Sequence, residues 1–414
     1  MRARIAFLSK SDETGGGASR VACQLRDLIA EDSGRFEVDH WVGLRDPRPP
    51  LLGLHGRQLG WKAYRVARKF SYWVGLPDFL TLERLNFSSR KHAYNLFHVH
   101  DISEAISPYT LKSIAKHAPV IWTLHDCSPF TGGCIYPLDC TAYQATGCGD
   151  CPQLGRWPLM TSIDRTSYMQ SYKVGMINEA LDAVICPSQW IADQAQGAGV
   201  DGSLLSVIPN AVDSDTFKPH DKMQSRRELG LPQDAKILLL ASMDFRNPYK
   251  GWEFVFQALS QLKQPLHVML IGANQSAMTY PAQHKYLTLE RTFDRLRLAK
   301  YYAACDLLLF PSMADNCPLV LLESMACGTP AVAFDSGGIR EIIGHESDGW
   351  LAARGDAGAL VRGVDVAMGH EDIRLAWSRN AREKVLEKFN EETFLKAHLS
   401  LYETLLDKPR RRAT

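Results

Sequence analysis

The sequence predicts two α/β domains, each a parallel sheet with helices on both faces. Three observations lead there. The chain has 414 residues, too long for one compact domain and suited to two of roughly 200 residues. Short apolar runs of buried-strand type alternate with stretches of helical spacing. The alternation restarts after Pro209-Asn210. The expected domains are residues 1–208 and 209–391, with a last helix at about 392–414 packing back onto the first.

The elements follow in order. Ile5-Ala-Phe-Leu8 is strand-like, and Gly15-Gly-Gly17 makes a turn. Apolar positions at Ala18, Val21, Ala22, Leu25, Leu28 and Ile29 then have helical spacing. Strand-like runs recur at residues 36–42, 96–100, 120–124 and 183–186. In the second half, strands are expected at 236–241, 266–271, 306–310 and 331–334. Helices are expected at 251–262, 295–304 and 318–327, the last closed by Gly328 and Pro330. Helical patterns at 373–389 and 392–406 end the chain.

Composition narrows the function classes. Lys plus Arg number 47 and Asp plus Glu 46, a balance with no global footprint for nucleic acid. An apolar fraction of 45% provides real cores. No apolar run approaches the ~18 residues of a membrane span. The N-terminus lacks the ~7–15 apolar residues of a secretory signal. A cytoplasmic protein is therefore expected, and its ten cysteines should not form a disulfide framework.

The most informative stretch runs from Phe310 to Pro330. Asn316 is an expected helix cap, and Pro318 suits the first turn. The helix that follows is apolar on almost every side, and Glu323 is its only charge. A buried carboxylate is costly unless something binds it. It is either a structural pair, with an Arg or backbone amides, or a carboxylate that holds ligand hydroxyls.

This stretch resembles the Glu-x7-Glu motif of retaining GT-B glycosyltransferases of family 4, with Asp315 in the first Glu position and Glu323 in the second. The match continues through residues 326–343. It recurs at Val207 to Asp213, Tyr249 to Trp252, Tyr302 to Asp306 and Gly15 to Arg20, so it covers nearly the whole chain in order. A second set resembles the colanic-acid and exopolysaccharide subgroup: Trp122 to Asp126, Pro129 to Cys134, Cys140, and Cys148 to Leu154.

The resemblance implies two Rossmann-like domains facing across a cleft and retention at the anomeric carbon. It implies a UDP- or GDP-sugar donor and a glycan acceptor, lipid-linked, in bacterial surface polysaccharide synthesis. Glu323 would hold the ribose hydroxyls and Asp315 a donor-sugar hydroxyl. Asp is one methylene shorter than the usual Glu. Lys250 would meet the diphosphate, where charge develops, with Arg246 as a second candidate; both also read as solvated loop cations. The backbone amides of Gly16 and Gly17, and those of Leu319 and Val320 at the next helix start, would add to the phosphate site. His125 and Asp126 end a strand, where open α/β sheets bind ligands. They are the acceptor-side candidates, and His100 is a weaker one. No cofactor is required for catalysis on this reading.

Cys134, Cys140, Cys148 and Cys151 crowd one loop, and Cys-Gly-Asp-Cys151 has the form of a two-ligand zinc knuckle. Structural zinc, two disulfides and free thiols all fit, with Cys127 as a spare ligand. Between Asp46 and Asp78 no acid occurs, while Arg48, Arg57, Lys62, Arg65, Arg68 and Lys69 interleave with Trp61, Tyr64, Phe70, Tyr72 and Trp73. Lys62, Arg65 and Lys69 share a helical face. That face is either a solvated cationic surface or one that adheres peripherally to anionic membrane. The basic segment Lys408 to Arg412 is a further candidate. Two other functions compete: a GT-B nucleotide-sugar epimerase, and a non-catalytic nucleotide-sugar-binding subunit.

Overall fold

Strand cores such as Ile5 to Leu8, Leu96 to Val99, Ile237 to Leu240 and Leu307 to Leu309 are buried on both faces. Strands of that kind belong in the middle of parallel sheets, where helices cover both sides. The structure is a computed structural model that describes residues 2–32, 34–55, 59–83, 91–275 and 279–408. The chain divides into two units. One is Met1–Pro209 with the segment from Leu395 onward; the other is Asn210–Phe394.

The first unit holds strands β1 (Ala3–Ser9), β2 (Phe36–Val42), β3 (Leu52–Gly53), β4 (Leu96–Val99), β5 (Val120–Thr123), β6 (Ala183–Cys186) and β7 (Leu205–Val207). They form one parallel sheet in the order β3-β2-β1-β4-β5-β6-β7. The order reverses between β1 and β4, and such a switch point opens a crevice at the carboxyl ends of the strands. Helix α1 (Gly17–Glu31) follows β1 and buries Val21, Ala22, Leu25 and Ile29, one face at helical spacing. Gly16 caps it at φ 111°, a conformation that favours glycine. Helix α2 (Leu59–Trp73) follows β3.

The second unit repeats the plan. Its strands are β8 (Ile237–Asp244), β9 (His267–Ala273), β10 (Lys285–Leu289), β11 (Leu307–Phe310), β12 (Ala331–Asp335) and β13 (Gly349–Ala353). They pair in parallel in the order β10-β9-β8-β11-β12-β13, with the switch point between β8 and β11. Helix α3 (Leu319–Ala326) is buried along most of its length. Its expected cap is corrected: Pro318, not Asn316, takes the N-cap position at φ −71° and ψ 121°, and no side chain caps the helix. Proline has no N–H to leave unsatisfied there.

Asp306, ahead of β11, locks the second unit. Its carboxylate accepts from Lys222 at 2.9 Å, Arg226 at 2.8 Å, Arg374 at 3.2 Å and the amide of Ile237 at 2.8 Å. The last helix, α4 (Glu391–Asp407), carries His398 and Tyr402, both buried in the first unit. The Tyr402 hydroxyl meets His98 Nδ1 on β4 at 2.7 Å. Arg57 and the basic residues beyond Lys408 lie outside the described residues. No helix among the described residues is long and apolar enough to cross a membrane.

Candidate functional site

In each unit the candidates gather at the carboxyl ends of strands at or next to the switch point. In the second unit they follow β8 and β11. Segment 247–250 is a short helical turn opened by Asn247, whose side chain accepts from the Tyr249 amide. Gly251 closes that turn at φ 62°, and a Cβ there would lie 2.1 Å from the carbonyl oxygen of Pro311. Only glycine permits that approach. The two segments are then joined by Met313 N–H to Tyr249 O at 2.8 Å and by the Ser312 hydroxyl to the same oxygen at 3.2 Å.

This zipper sets Lys250 against Asp315: Nζ donates to Oδ2 at 2.6 Å. The two are 65 positions apart, and the pair is only partly shielded from solvent. The Lys250 ammonium also lies 5.7 Å from the centre of the Phe310 ring. The backbone of Asp315 is held in turn by the Gly338 amide, which donates to its carbonyl at 2.9 Å. Gly337 sits at φ 61° against that same carbonyl, where a Cβ would come within 2.0 Å.

Glu323 is 2% exposed on α3, and the Tyr302 hydroxyl donates to its Oε2 at 2.9 Å. Leu319 and Val320 open that helix, where amides point outward unsatisfied by the helix itself. Arg246 is turned to Asp244, with NH2 to Oδ2 at 2.9 Å, and its side chain is well exposed. The Arg246 guanidinium holds the Asp244 carboxyl well below the usual range. The structure thus unites Lys250 with Asp315 and places Arg246 four residues away in an ion pair of its own.

In the first unit the candidates follow β1, β4 and β5. Gly17 begins α1, and a Cβ on it would meet nothing within 4 Å. His125 Nε2 lies 3.3 Å from His100 Nδ1, and the two rings stack at 5.5 Å. His98 meets the Tyr402 hydroxyl through Nδ1 and the Thr123 hydroxyl through Nε2, each at 2.7 Å. Burial lowers His125 to about 3, with the nearby His398 adding to the effect. Burial also holds His98 and His100 well below their ordinary value. At neutral pH these rings are uncharged hydrogen-bonding groups. Asp126 moves the other way. Burial raises it to about 7 and Asp101 adds to the rise, while the Ser128 amide opposes it from 2.7 Å. A carboxyl that titrates there suits proton exchange with a hydroxyl.

Lys173 was not among the sequence candidates. It lies in the helix Thr166–Ala180, is 5% exposed, and donates to the carbonyl of Ser128. Burial lowers its pKa, against the fields of Asp78, Cys134, Cys148 and Asp126. A lysine at a buried position of that helix was the available signal. A cavity of about 630 Å³ elsewhere in this unit, walled by Phe79, Ser107, Tyr109, Lys112, Lys116 and Tyr172, contains none of the candidates.

The loop from Leu124 to Arg165 contains one helical turn, Ala142–Ala145. Cys134, Cys140, Cys148 and Cys151 line a single small cavity within it, and Cys127 is not among its walls. The Gly132 amide donates to Cys148 Sγ at 3.2 Å. Burial pushes the Cys134 thiol up to about 12 and that of Cys148 up to about 11. All four are free thiols, and no three His, Cys, Asp or Glu side chains among the described residues are arranged to hold a metal ion.

Two doubly wound parallel sheets with candidates at or next to their switch points define an α/β protein of the GT-B class. Its solved relatives agree in fold. Sucrose-phosphate synthase of Thermosynechococcus elongatus superposes with a TM-score of 0.72 at 21% identity, covering 98% of this chain and 99% of that one. Anabaena HepE in complex with UDP-glucose gives 0.68 at 18%, covering 97% and 100%. Two family models match in tandem, Glycosyltransferase Family 4 over residues 15–216 and Glycosyl transferases group 1 over residues 221–384. The chain belongs to these glycosyltransferases. A glycogen synthase of Streptococcus pneumoniae is 23% identical over 377 residues, 79% of this chain and 75% of the relative.

Proposed function

We propose that this chain moves a sugar, with retention, from a UDP- or GDP-sugar to a lipid-linked glycan in bacterial surface polysaccharide synthesis. The observation that carries the reading is the Lys250–Asp315 pair at the carboxyl ends of β8 and β11, beside the helix that buries Glu323. Lys250 is a cation suited to a diphosphate whose charge grows as the glycosidic bond breaks. Asp315 then exchanges part of its ion pair for a donor-sugar hydroxyl. Glu323 keeps the Tyr302 hydroxyl and accepts from ribose hydroxyls. The Leu319 and Val320 amides receive phosphate oxygens. On the acceptor side, neutral His125 orients a hydroxyl and Asp126 lies near it.

The likeness to HepE, whose crystal contains UDP-glucose, supports a uridine donor. The subgroup motif in residues 122–154 supports the surface-glycan assignment. The four cysteines line one cavity without being gathered into a ligand set, so a structural Zn²⁺ serving as the staple of their loop would have to draw them together on binding.

A thermal-shift screen of UDP- and GDP-sugars tests the donor, since a ligand of the folded state raises the midpoint. Asp315→Ala and Glu323→Ala are each expected to abolish that shift and turnover. Unchanged turnover in both would remove the site assignment. Nucleotide release that is independent of any glycan acceptor would favour an epimerase instead.

A further inference from the structure

Helix α2 is amphipathic in an unusual sense. Its inward side carries hydrogen-bonding groups, and its outward side leaves apolar side chains exposed beside cations. Tyr64 is buried and donates through its hydroxyl to the Glu104 carbonyl. Arg68 pairs with the Glu104 carboxylate, and the Tyr72 hydroxyl reaches it at 3.3 Å. Ser71 is buried on the same side. The outward side carries Lys62, Arg65, Val66, Lys69, Phe70 and Trp73, all exposed, at steps of three and four. At about 100° per residue, the three cations fill one half of this arc and the three apolar side chains the other.

The exposures are large: 68% for Val66, 50% for Phe70 and 71% for Trp73. Among the described residues, none of the three cations has an acid partner. A face that merely solvates cations has no use for Trp73, Phe70 and Val66 beside them.

A second exposed apolar stretch adjoins the end of α2. Gly75 packs so closely on Ile163 that a Cβ would lie 2.5 Å from the Ile163 carbonyl oxygen. Around Ile163, Trp157, Met160 and Tyr168 are 50%, 57% and 46% exposed. Single exposed hydrophobics are ordinary, but two exposed apolar stretches that meet at Gly75 and Ile163 mark an interaction surface.

We infer that the outward face of α2, continued by residues 157–168, docks this chain on an anionic lipid bilayer. The charge selects the occupant. Unpaired Lys and Arg suit anionic headgroups, while tryptophan and aliphatic side chains enter the boundary below them. The inference deepens the proposed function, because it places the chain where a lipid-linked acceptor resides.

Flotation of the full chain with vesicles of phosphatidylcholine, with and without phosphatidylglycerol, tests it. Flotation is expected only with the anionic lipid and should fall as salt rises. An exposed cation near such a surface contributes roughly fivefold in partition, so Lys62→Glu, Arg65→Glu and Lys69→Glu together should lower it more than ~100-fold. Phe70→Ser with Trp73→Ser, and separately Met160→Ser with Ile163→Ser, should each abolish flotation. Unchanged circular dichroism and melting would show that these exposed changes leave the fold intact. No flotation, or equal flotation on neutral vesicles, overturns the inference. So does light scattering that shows a dimer dispersed by Trp73→Ser, since the occupant would then be a second copy. Vesicle binding is read without nucleotide and donor binding without vesicles, so the failure of one leaves the other standing.

Discussion

Acidification should destabilise the first unit through its buried histidines, against two buried carboxyls that gain protons over the same range. His40 is 1% exposed beside Ser9, whose hydroxyl meets its Nε2 at 2.7 Å. Burial lowers it to about 3, and Arg26 pushes in the same direction against Asp12. His125 is likewise lowered to about 3, and His55 to about 4, where burial alone is responsible. In the unfolded chain each takes up a proton near pH 6.5. Between that value and about 3 the unfolded state therefore binds more protons, so stability falls as pH falls. From pH 7 to pH 5 each such histidine costs about 2 kcal/mol and the three together about 6 kcal/mol, while Asp126, raised by burial to about 7, and Asp78, raised by burial to about 6, take up protons in the folded state and return about 3–4 kcal/mol. The net loss of about 2 kcal/mol is a substantial part of the about 5–15 kcal/mol that stabilises a typical domain.

The assay is urea unfolding at pH 7, 6 and 5. It is read by hydrogen exchange on peptides from β4 and β5, so that the first unit is followed by itself. His40→Gln should flatten the pH dependence by about 1.4 kcal/mol per pH unit between pH 5 and 6. A first-unit midpoint unchanged from pH 7 to 5, or a slope that His40→Gln leaves intact, would refute the reasoning.

Three further outcomes are expected. Asp306→Ala strands the buried Arg226 together with Lys222 and Arg374, and should destabilise the second unit by about 3–5 kcal/mol in urea; a loss below about 1 kcal/mol would contradict that account. Gly251→Ala forces a Cβ onto the Pro311 carbonyl. It should therefore separate Lys250 from Asp315 and abolish the thermal shift given by the donor, whereas Gly369→Ala, with nothing within 4 Å, should preserve it. Protein purified without chelator should contain about one zinc per chain. Metal analysis giving less than about 0.3 ends the zinc proposal, and loss of zinc in Cys148→Ser supports it.

Much of the fold was legible because central parallel strands are continuous apolar runs. Strands β1, β4, β5, β6, β8, β11 and β12 are of that kind. The strands that escaped notice lack such runs. Leu52–Gly53 is two residues long, Leu205–Val207 is a three-residue edge, Lys285–Leu289 is a half-exposed edge, and Gly349–Ala353 is partly open. Glu323 stood out because a single charge in an apolar helix is costly. Cations at 62, 65 and 69 could be assigned a common face from helical spacing alone.

Other features needed the tertiary structure. Lys250 and Asp315 are distant in sequence, and only the close approach of Gly251 to Pro311 brings them to 2.6 Å. Lys173 gives no local sign that it reaches the Ser128 carbonyl. Arg68 resembles its cationic neighbours in sequence, yet it turns inward to Glu104 while Lys62, Arg65 and Lys69 face out. By itself the sequence determined the class of fold, the family and the types of residue available to the chemistry. Periodicity and hydrophobicity are local quantities that any window of residues reports. Pairing, exposure and field are properties of groups that meet only after the chain has closed, and those the tertiary structure decided.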